Sequence, residues 1–255
     1  MAVIDCHFYS KYLAHQTEIC VILPEIYGKP PKAEYPLLYL LHGRGDDCTS
    51  WLRNSNIERY ADERNVAVVM PSAETSFYMD GVCGKRFFTF LTKELPCVVR
   101  LWFPVSKKAE KTYLAGLSMG GYGALKIGLT YPEAFAGIGI FSAGIRPDKM
   151  PDFALTPEEN EILHENIRQA FGARDFKPEH IPQELILARI REGKKIPPVC
   201  HYEGRQDMLY DMNREFRDFA EAQPIHYRYE EWDGGHDWIF WDEALRRLLE
   251  QFFRA

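Results

Sequence analysis

The stretch Leu114-Ala-Gly-Leu-Ser-Met-Gly-Gly-Tyr-Gly123 decides the fold of this 255-residue chain. A β-prone apolar run leads into it, and a helical pattern that stops at Pro132 follows it. Ser118 therefore lies at a corner between a strand and a helix, the context in which G-x-S-x-G forms a nucleophile elbow. Gly116 and Gly120 let the two elements approach closely, because they carry no Cβ. The pattern predicts that Ser118 is a catalytic nucleophile.

A structural role for Ser118 is the alternative, since serine is a common N-cap residue. A capping box would place Glu or Gln three residues further on, and Gly121 is found there instead. The helix start beside Ser118 also directs unpaired backbone N–H groups at any negative charge that forms there. The catalytic interpretation is favoured, and it requires a base and an oxyanion site elsewhere in the chain.

Continuous apolar runs mark strands that are covered on both faces, as in parallel sheets between helices. Such runs occur at Leu37–Leu41, Val66–Met70 and Ala136–Phe141. Further β-prone segments occur at 2–9, 17–23, 197–202 and 225–229. The first two of these predict an antiparallel start to the sheet. About eight strands, alternating with helices after the first two, predict an α/β fold with a mostly parallel sheet flanked by helices.

The composition indicates one globular domain over residues 1–255, with 46% apolar residues and a formal charge of −6. This charge argues against nucleic acid or an anionic membrane as a main partner. No apolar run approaches the roughly 18 residues of a spanning helix. The opening residues also lack the basic and apolar regions of a signal peptide. Six scattered cysteines without a C-x-x-C pair predict reduced thiols, no metal site and a cytoplasmic location.

Residues 144–196 interrupt the alternation, since they contain helical patterns but no strand. Thr156 and Glu159 form a capping box, and apolar residues then recur at helical spacing up to Gly172. A second helix is expected at about 183–191. Long connections in compact domains are usually functional, so this segment is interpreted as a cap insertion over the active site. A solvated excursion without a catalytic role is the alternative.

The base that activates Ser118 is expected after it in the chain, with an acid between the two. Five histidines follow Ser118, and His236 is the best placed. It lies in Asp233-Gly-Gly-His-Asp-Trp238, a flexible loop between the last strand and the final helix. The other four lie within predicted strands or in the insertion. A purely structural loop histidine is the alternative to the catalytic role.

Asp207 is the predicted acid, because it lies in the loop after the strand that ends near Tyr202. Its alternative role is to cap the helix that follows, a common use of aspartate. Asp211 would fall inside that helix, and Asp233 is too near His236 in sequence to reach it without an unusual turn. Asp237 is expected to cap the final helix.

Acyl transfer also needs donors for the oxyanion of the tetrahedral intermediate. Two backbone N–H groups are expected, those of Met119 just after the nucleophile and of Arg44 in the loop after a buried strand. His42 in the same loop is expected to shape the backbone rather than to transfer protons.

These motifs together resemble the esterase D-like branch of the α/β-hydrolases, above all the tributyrin esterases and the related feruloyl and acetyl-xylan esterases. The matching segments run in order along most of the chain: Tyr39–Gly43, Ser50-Trp51, Asn56–Ala61, Phe88–Pro96, Ala115–Leu125, Asp207–Asn213 and Gly235–Trp238. The resemblance implies an α/β-hydrolase fold, a triad of Ser118, Asp207 and His236, and no metal or cofactor.

The same resemblance implies that Trp51, Phe77 and Tyr78 lie near the substrate. The chain departs from the family pattern at Arg44–Cys48 and in the insertion, the segments that would shape the pocket.

The sequence is therefore interpreted as a serine carboxylesterase that hydrolyses acetyl, butyryl or hydroxycinnamoyl esters through an acyl-enzyme. An S-formylglutathione hydrolase is the nearest alternative, since the same groups would cleave a thioester. A non-catalytic binding module on a hydrolase fold is the alternative from another class. The expected partner is a small-molecule ester, and a homo-oligomer stays open because relatives are often oligomeric.

Overall fold

The computed structural model describes residues 1–24, 34–150, 152, 156–172 and 176–253. At its centre is one sheet of eight strands. The strands are β1 (Ala2–Ser10), β2 (His15–Leu23), β3 (Leu37–Leu41), β4 (Ala67–Pro71), β5 (Thr112–Leu117), β6 (Gly137–Phe141), β7 (Val199–Gly204) and β8 (Tyr227–Trp232).

The strand order across the sheet is β1-β2-β4-β3-β5-β6-β7-β8. The β1–β2 and β2–β4 pairs are antiparallel, and the other pairs are parallel. Every residue of β3, β4 and β6 is buried, whereas the edge strand β1 alternates between exposed and half-buried residues. The predicted α/β architecture, with its mostly parallel sheet and antiparallel start, is confirmed.

Helices cover both faces of the sheet. They are α1 (Ser50–Asn54), α2 (Ile57–Arg64), α3 (Phe87–Thr89), α4 (Leu95–Trp102), α5 (Met119–Thr130), α6 (Pro157–Phe171), α7 (Pro182–Arg191), α8 (Tyr210–Glu221) and α9 (Trp238–Phe252). Because side chains alternate along a strand, Leu37, Tyr39 and Leu41 enter one core while Leu38 and Leu40 enter the other. Among the described residues, no helix has the length and hydropathy that a membrane span requires.

The segment from Phe87 to Phe103 is not one continuous α-helix. A π-helical turn over Phe90–Glu94 separates α3 from α4. Pro96 consequently falls in the first turn of α4. A proline has no N–H to donate. In the first turn of a helix the N–H groups have no partner within that helix, so Pro96 costs α4 no hydrogen bond. The π turn is thus how the chain accommodates Pro96 without a break.

The carboxyl ends of the parallel strands meet at one edge of the sheet. The loop after β3 carries Arg44, and the corner between β5 and α5 carries Ser118. The loops after β7 and β8 carry Asp207 and His236. In open α/β sheets this edge is where ligands bind.

Candidate active site

Ser118 occupies a strained position at the corner between β5 and α5. Its φ and ψ angles are 51° and −116°, a backbone conformation that non-glycine residues rarely adopt. A Cβ on Gly120 would lie 2.6 Å from the carbonyl oxygen of His42, and one on Gly116 would lie 2.4 Å from the backbone of Gly120. The backbone N–H of Ser118 donates to the carbonyl of Phe141 at 2.8 Å. Close packing of strand, helix and loop thus holds the serine in its strained geometry.

The structure brings the three predicted side chains into one hydrogen-bonded chain. The hydroxyl oxygen of Ser118 lies 3.1 Å from His236 Nε2. His236 Nδ1 lies 2.9 Å and 3.0 Å from the two carboxylate oxygens of Asp207. An ionised carboxylate can only accept hydrogen bonds, so Nδ1 carries the hydrogen and donates it to Asp207. Nε2 is then free to accept a hydrogen bond from the serine hydroxyl. This tautomer is the one in which an imidazole can act as a base.

Asp207 is buried, and its carboxylate faces His236 instead of capping α8. Burial by itself raises the pKa of this carboxyl. The hydrogen bond and charge of His236, the backbone N–H of Leu209 at 2.8 Å and the Ser142 hydroxyl together outweigh burial and lower the pKa below its ordinary value. Asp207 is therefore ionised at neutral pH. Asp237 caps α9 as predicted, accepting from the backbone N–H of Phe240 at 3.0 Å.

The loop after β3 forms a tight turn over residues 43–46. The N–H of Asp46 donates to the Gly43 carbonyl at 3.3 Å, and Gly45 has a φ of 86°. Glycine at this position with positive φ is typical of a type II turn, whose second residue here is Arg44. The backbone N–H groups of Arg44 and Met119 donate to no acceptor among the described residues. Both groups are thus free to serve an oxyanion.

His42 fixes the base of this loop. Its Nε2 accepts from the backbone N–H of Ala73 at 2.9 Å, and its Nδ1 donates to the Gly43 carbonyl at 2.7 Å. Burial lowers the pKa of this histidine, so the ring is neutral at physiological pH. As predicted, His42 shapes the loop and does not reach the Ser118 hydroxyl.

A cavity of about 160 Å³ opens beside the Ser118 hydroxyl. Its walls are mostly apolar, and Arg44, Ser118 and His236 are the polar residues among them. The lining residues are Arg44, Phe77, Ser118, Met119, Met150, Leu163, Met208, Leu209 and His236. A serine, a base, two free N–H donors and an apolar cavity are the parts that acyl transfer requires.

The sequence of this chain matches the model of a known protein family. Residues 10–252 match the model of a family described as "Putative esterase". The chain belongs to this esterase family. Among the described residues of the esterase, no group of three or more His, Cys, Asp or Glu side chains could hold a metal ion.

Similar proteins agree with the assignment. An acetyl esterase of Caldicellulosiruptor saccharolyticus is 34% identical over 261 residues, which cover 98% of this chain and 97% of the relative. The fluorophosphonate-binding serine hydrolase FphF of Staphylococcus aureus, solved with substrate bound, is 31% identical with a TM-score of 0.87 and covers 100% and 99% of the two chains. The S-formylglutathione hydrolase FrmB of the same organism is 31% identical with a TM-score of 0.85, covering 99% of each chain. The esterase is thus a serine hydrolase of carboxylic esters.

Two of the three predicted substrate contacts lie elsewhere in the esterase. Trp51 is fully buried, and its indole N–H donates to the Leu41 carbonyl at 3.1 Å. Tyr78 is also fully buried, with its hydroxyl donating to the His42 carbonyl at 2.7 Å. Neither residue lines the cavity beside Ser118, so the expectation of direct contact is corrected. Each instead binds a carbonyl at the end of β3 or just after it, and so holds the start of the loop that carries Arg44.

Phe77 does line the cavity, as the resemblance implies. Its φ of 49° and the φ of 58° at Tyr78 place two consecutive non-glycine residues in the left-handed region. Both rings are buried in the same core, and of the two residues Phe77 alone also lines the cavity.

Four cavity residues of the esterase were not identified as substrate contacts from the sequence: Met150, Leu163, Met208 and Leu209. Leu163 had a detectable signal, since it belongs to the apolar stripe of α6 within the insertion. Met208 and Leu209 directly follow Asp207 and could have been inferred from that position. Met150 lies in an irregular segment of the chain, and no pattern in the sequence distinguishes it.

Proposed function

We propose that the esterase hydrolyses esters of short acyl groups, acetyl to butyryl, through an acyl-enzyme on Ser118. The observation that carries this proposal is the Ser118–His236–Asp207 hydrogen-bond chain at the mouth of a cavity of about 160 Å³. An apolar cavity of about 150 Å³ holds a molecule the size of benzene. A short acyl chain fits such a space, whereas a hydroxycinnamoyl group is more than twice the size of benzene. The similarity to an acetyl esterase supports the same choice.

The mechanism starts with the attack of the Ser118 hydroxyl on the ester carbonyl. His236 Nε2 takes the serine proton, and the resulting imidazolium is stabilised by the ionised carboxylate of Asp207. The tetrahedral oxyanion accepts hydrogen bonds from the Met119 and Arg44 N–H groups, each worth about 2.7–4 kcal/mol of the barrier. His236 then returns the proton to the leaving alcohol. A water molecule, activated by the same imidazole, releases the acid and regenerates Ser118.

The insertion at 144–196 is proposed to act as a cap on this site. Leu163 of α6 and Met150 supply apolar wall. The far end of α6 is anchored on the body of the molecule, since the Phe171 and Phe77 rings lie 5.6 Å apart and the N–H of Val82 donates to the Gln169 carbonyl at 2.9 Å. Residues 151, 153–155 and 173–175 of the insertion lie outside the described part of the chain. A cap of this kind would belong to one domain that includes the whole chain.

A thioesterase is the second candidate, because FrmB of S. aureus is an S-formylglutathione hydrolase and the two chains are 31% identical. A formyl group is smaller than an acetyl group, so the cavity would admit it. The two activities share every catalytic step and differ in the leaving group, which lies outside the acyl cavity.

Location and assembly remain predictions. A cytoplasmic site is expected for a chain whose six cysteines are all free. The formal charge of −6 favours a small-molecule partner over nucleic acid. Whether the esterase forms a homo-oligomer is answered by its mass in solution.

Two measurements test the proposed function. A fluorophosphonate probe should label the wild-type chain and fail to label Ser118→Ala. Steady-state kinetics should rank acetyl and butyryl esters above feruloyl esters and above S-formylglutathione.

The Asp207→Asn variant should lose about 10³–10⁴-fold in kcat, as expected when the imidazole takes the wrong tautomer. Asp211→Asn, one helical turn away and exposed, should keep its activity. Preferred cleavage of S-formylglutathione would establish the second candidate, and an unlabelled wild-type chain would contradict both.

A further inference from the structure

A fully buried asparagine follows the loop that carries the catalytic acid. Asn213 lies near the start of α8 and has no exposed surface. The segment from Asp207 to Asn213 is one of those that match the family pattern, yet catalysis uses only its first side chain. A buried amide has two N–H donors and an acceptor oxygen, and all of them need partners. The partners of Asn213 therefore indicate what it does.

The side chain of Asn213 bridges two loops by hydrogen bonds. Its Nδ2 donates to the Leu209 carbonyl at 2.9 Å and to the Ala143 carbonyl at 3.1 Å. Leu209 lies in the loop between β7 and α8, and Ala143 lies just after β6. Both loops follow the carboxyl ends of parallel strands, at the edge of the sheet where the triad lies. We call this pair of hydrogen bonds the Asn213 bridge.

A buried histidine fixes the orientation of the amide. Carbonyl oxygens only accept, so Nδ2 must face them and Oδ1 of Asn213 faces Nε2 of His201, at 2.9 Å. The histidine nitrogen Nε2 therefore carries a hydrogen, and Nδ1 accepts from the Tyr227 hydroxyl at 2.6 Å. Burial lowers the pKa of His201 to about 3, so the ring is neutral at physiological pH. Every polar atom of the amide thus has a partner.

The two bridged loops hold two members of the triad. The N–H of Leu209 donates to the Asp207 carboxylate at 2.8 Å, while the carbonyl of Leu209 binds Asn213. On the other side, the residue after the second bound carbonyl is Gly144. Its N–H donates to the Ser118 carbonyl at 3.0 Å. The acid and the nucleophile are thus connected to each other through the Asn213 bridge.

Neither bridged carbonyl depends on the amide for its own hydrogen bonding. The Leu209 carbonyl also accepts from the backbone N–H of Asn213 at 3.0 Å, and the Ala143 carbonyl also accepts from that of Ile145 at 2.9 Å. Loss of the amide therefore leaves both carbonyls paired and removes only the connection between the loops. The nucleophile corner is held separately by the close packing of its glycines. The acid loop is consequently the part that would move.

We propose that Asn213 is a positioning residue for the catalytic acid. The Asn213 bridge fixes the distance between the Asp207 loop and the Ser118 corner, and the imidazole of His236 must span that distance. Without the bridge the acid loop shifts, the carboxylate orients the imidazole less accurately, and proton transfer slows. A misplacement of about 1 Å can cost about 100-fold in rate. This role rests on the triad mechanism proposed for the esterase.

Asn213→Thr tests the bridge with little disturbance of the helix. A threonine hydroxyl in a helix can donate to the carbonyl four residues earlier, here that of Leu209, but its single O–H cannot also serve Ala143. With an acetyl ester, kcat should fall about 10–100-fold. KM should stay nearly constant, because Asn213 does not line the cavity beside Ser118. Asn213→Leu, which keeps the volume and loses both side-chain bonds, should lose at least as much kcat.

Tyr227→Phe is the matched control for damage to the same buried network. It removes the hydroxyl that binds His201 and leaves both bonds of the Asn213 bridge in place. Its melting temperature should fall, since a buried ring nitrogen loses its partner, while kcat stays close to that of the wild type. In proton NMR spectra, the downfield resonance of the His236 Nδ1–H should shift in Asn213→Thr and stay unchanged in Tyr227→Phe.

A double-mutant cycle shows whether Asn213 acts through Asp207. In an Asp207→Asn background, Asn213→Thr should change kcat by less than about twofold, because the acid that it positions is already disabled. The proposal is overturned if Asn213→Thr keeps the wild-type kcat, if its loss is equal in both backgrounds, or if Tyr227→Phe loses as much kcat. An active Ser118→Ala variant would instead refute the triad mechanism itself.

Discussion

The ring of Trp241 stands edge-on to the imidazole of His236, with 4.9 Å between the ring centroids and an interplanar angle of 86°. The indole N–H of the same tryptophan donates to the Ser142 hydroxyl oxygen at 3.1 Å. Ser142 in turn donates to Asp207. Trp241 of α9 thus packs against His236 and is linked to Asp207 through the Ser142 hydroxyl.

This relationship predicts the behaviour of Ser142→Ala. The variant removes a hydrogen bond from Asp207 and leaves the Trp241 N–H without its partner. Because Asp207 loses a hydrogen bond that fixes its orientation, its carboxylate should position the imidazole less well, and kcat should fall about tenfold with little change in KM. Stopped-flow or steady-state kinetics with an acetyl ester measures both constants. An Ala variant with unchanged kcat would exclude a positioning role for Ser142.

Acyl-chain selectivity should respond to Leu163 of α6. Leu163→Ala enlarges the cavity beside Ser118, so esters with longer acyl chains should gain in kcat/KM relative to acetyl esters by about tenfold. The neighbouring Ile162 is 51% exposed and lies outside the cavity, which makes Ile162→Ala a matched control from the same helix. A series of p-nitrophenyl esters from acetyl to octanoyl measures the shift. Equal profiles for the two variants would contradict the assignment of the cavity to the acyl group and the proposed cap role of α6.

Stability at alkaline pH should depend on Glu203 of β7. This side chain is fully buried, and neither carboxylate oxygen has a hydrogen-bond partner among the described residues. Burial raises its pKa well above 4.5, and the charges of Asp207 and Glu231 raise it further. Folding therefore takes up a proton at pH values between the unfolded-state and folded-state pKa of this carboxyl. The stabilising contribution of the neutral form is complete below pH 4.5 and is lost as the pH rises toward the folded-state pKa.

Glu203→Gln removes this proton uptake. Relative to the variant, the wild type should lose up to about 1.4 kcal/mol of unfolding free energy for each pH unit above about 5, until the pH reaches the folded-state pKa of Glu203. Urea titrations at several pH values measure the slope. Glu221→Gln, at an exposed position at the end of α8, should keep the wild-type slope. Parallel stability curves for wild type and Glu203→Gln would mean that Glu203 is ionised in the folded protein.

The elbow itself should not tolerate a side chain at Gly120. A Cβ there would lie 2.6 Å from two backbone oxygens, those of Leu41 and His42, which cannot move independently of β3. Gly120→Ala should lower the melting temperature by several degrees or prevent folding, since a backbone overlap of this kind disturbs the whole strand–helix junction. At Gly144 a Cβ would meet only the flexible tip of Met150 at 3.2 Å. Gly144→Ala should therefore melt close to the wild type, and similar melting of the two variants would refute the close-approach argument.

The sequence alone determined the features that local chemistry and chain order specify. The glycines around Ser118 require a tight strand–helix corner, and continuous apolar runs such as Leu37–Leu41 require strands with two covered faces. Loops at the carboxyl ends of parallel strands converge, so Asp207 and His236 could be identified as the neighbours of Ser118 before any coordinates. The capping box of Thr156 and Glu159 likewise predicted the start of α6, which the structure confirms.

Only the tertiary structure decided which side chains form the cavity and which support it. Trp51 and Tyr78 have the size and polarity of substrate contacts, yet their orientation depends on carbonyl groups of the β3 end that their own sequence neighbours do not reveal. Leu163 lines the cavity beside Ser118 because α6 of the insertion packs on the body of the molecule through Phe171. Contacts of this kind join segments far apart in sequence, and their geometry follows from the packing of the whole core, which no local pattern encodes.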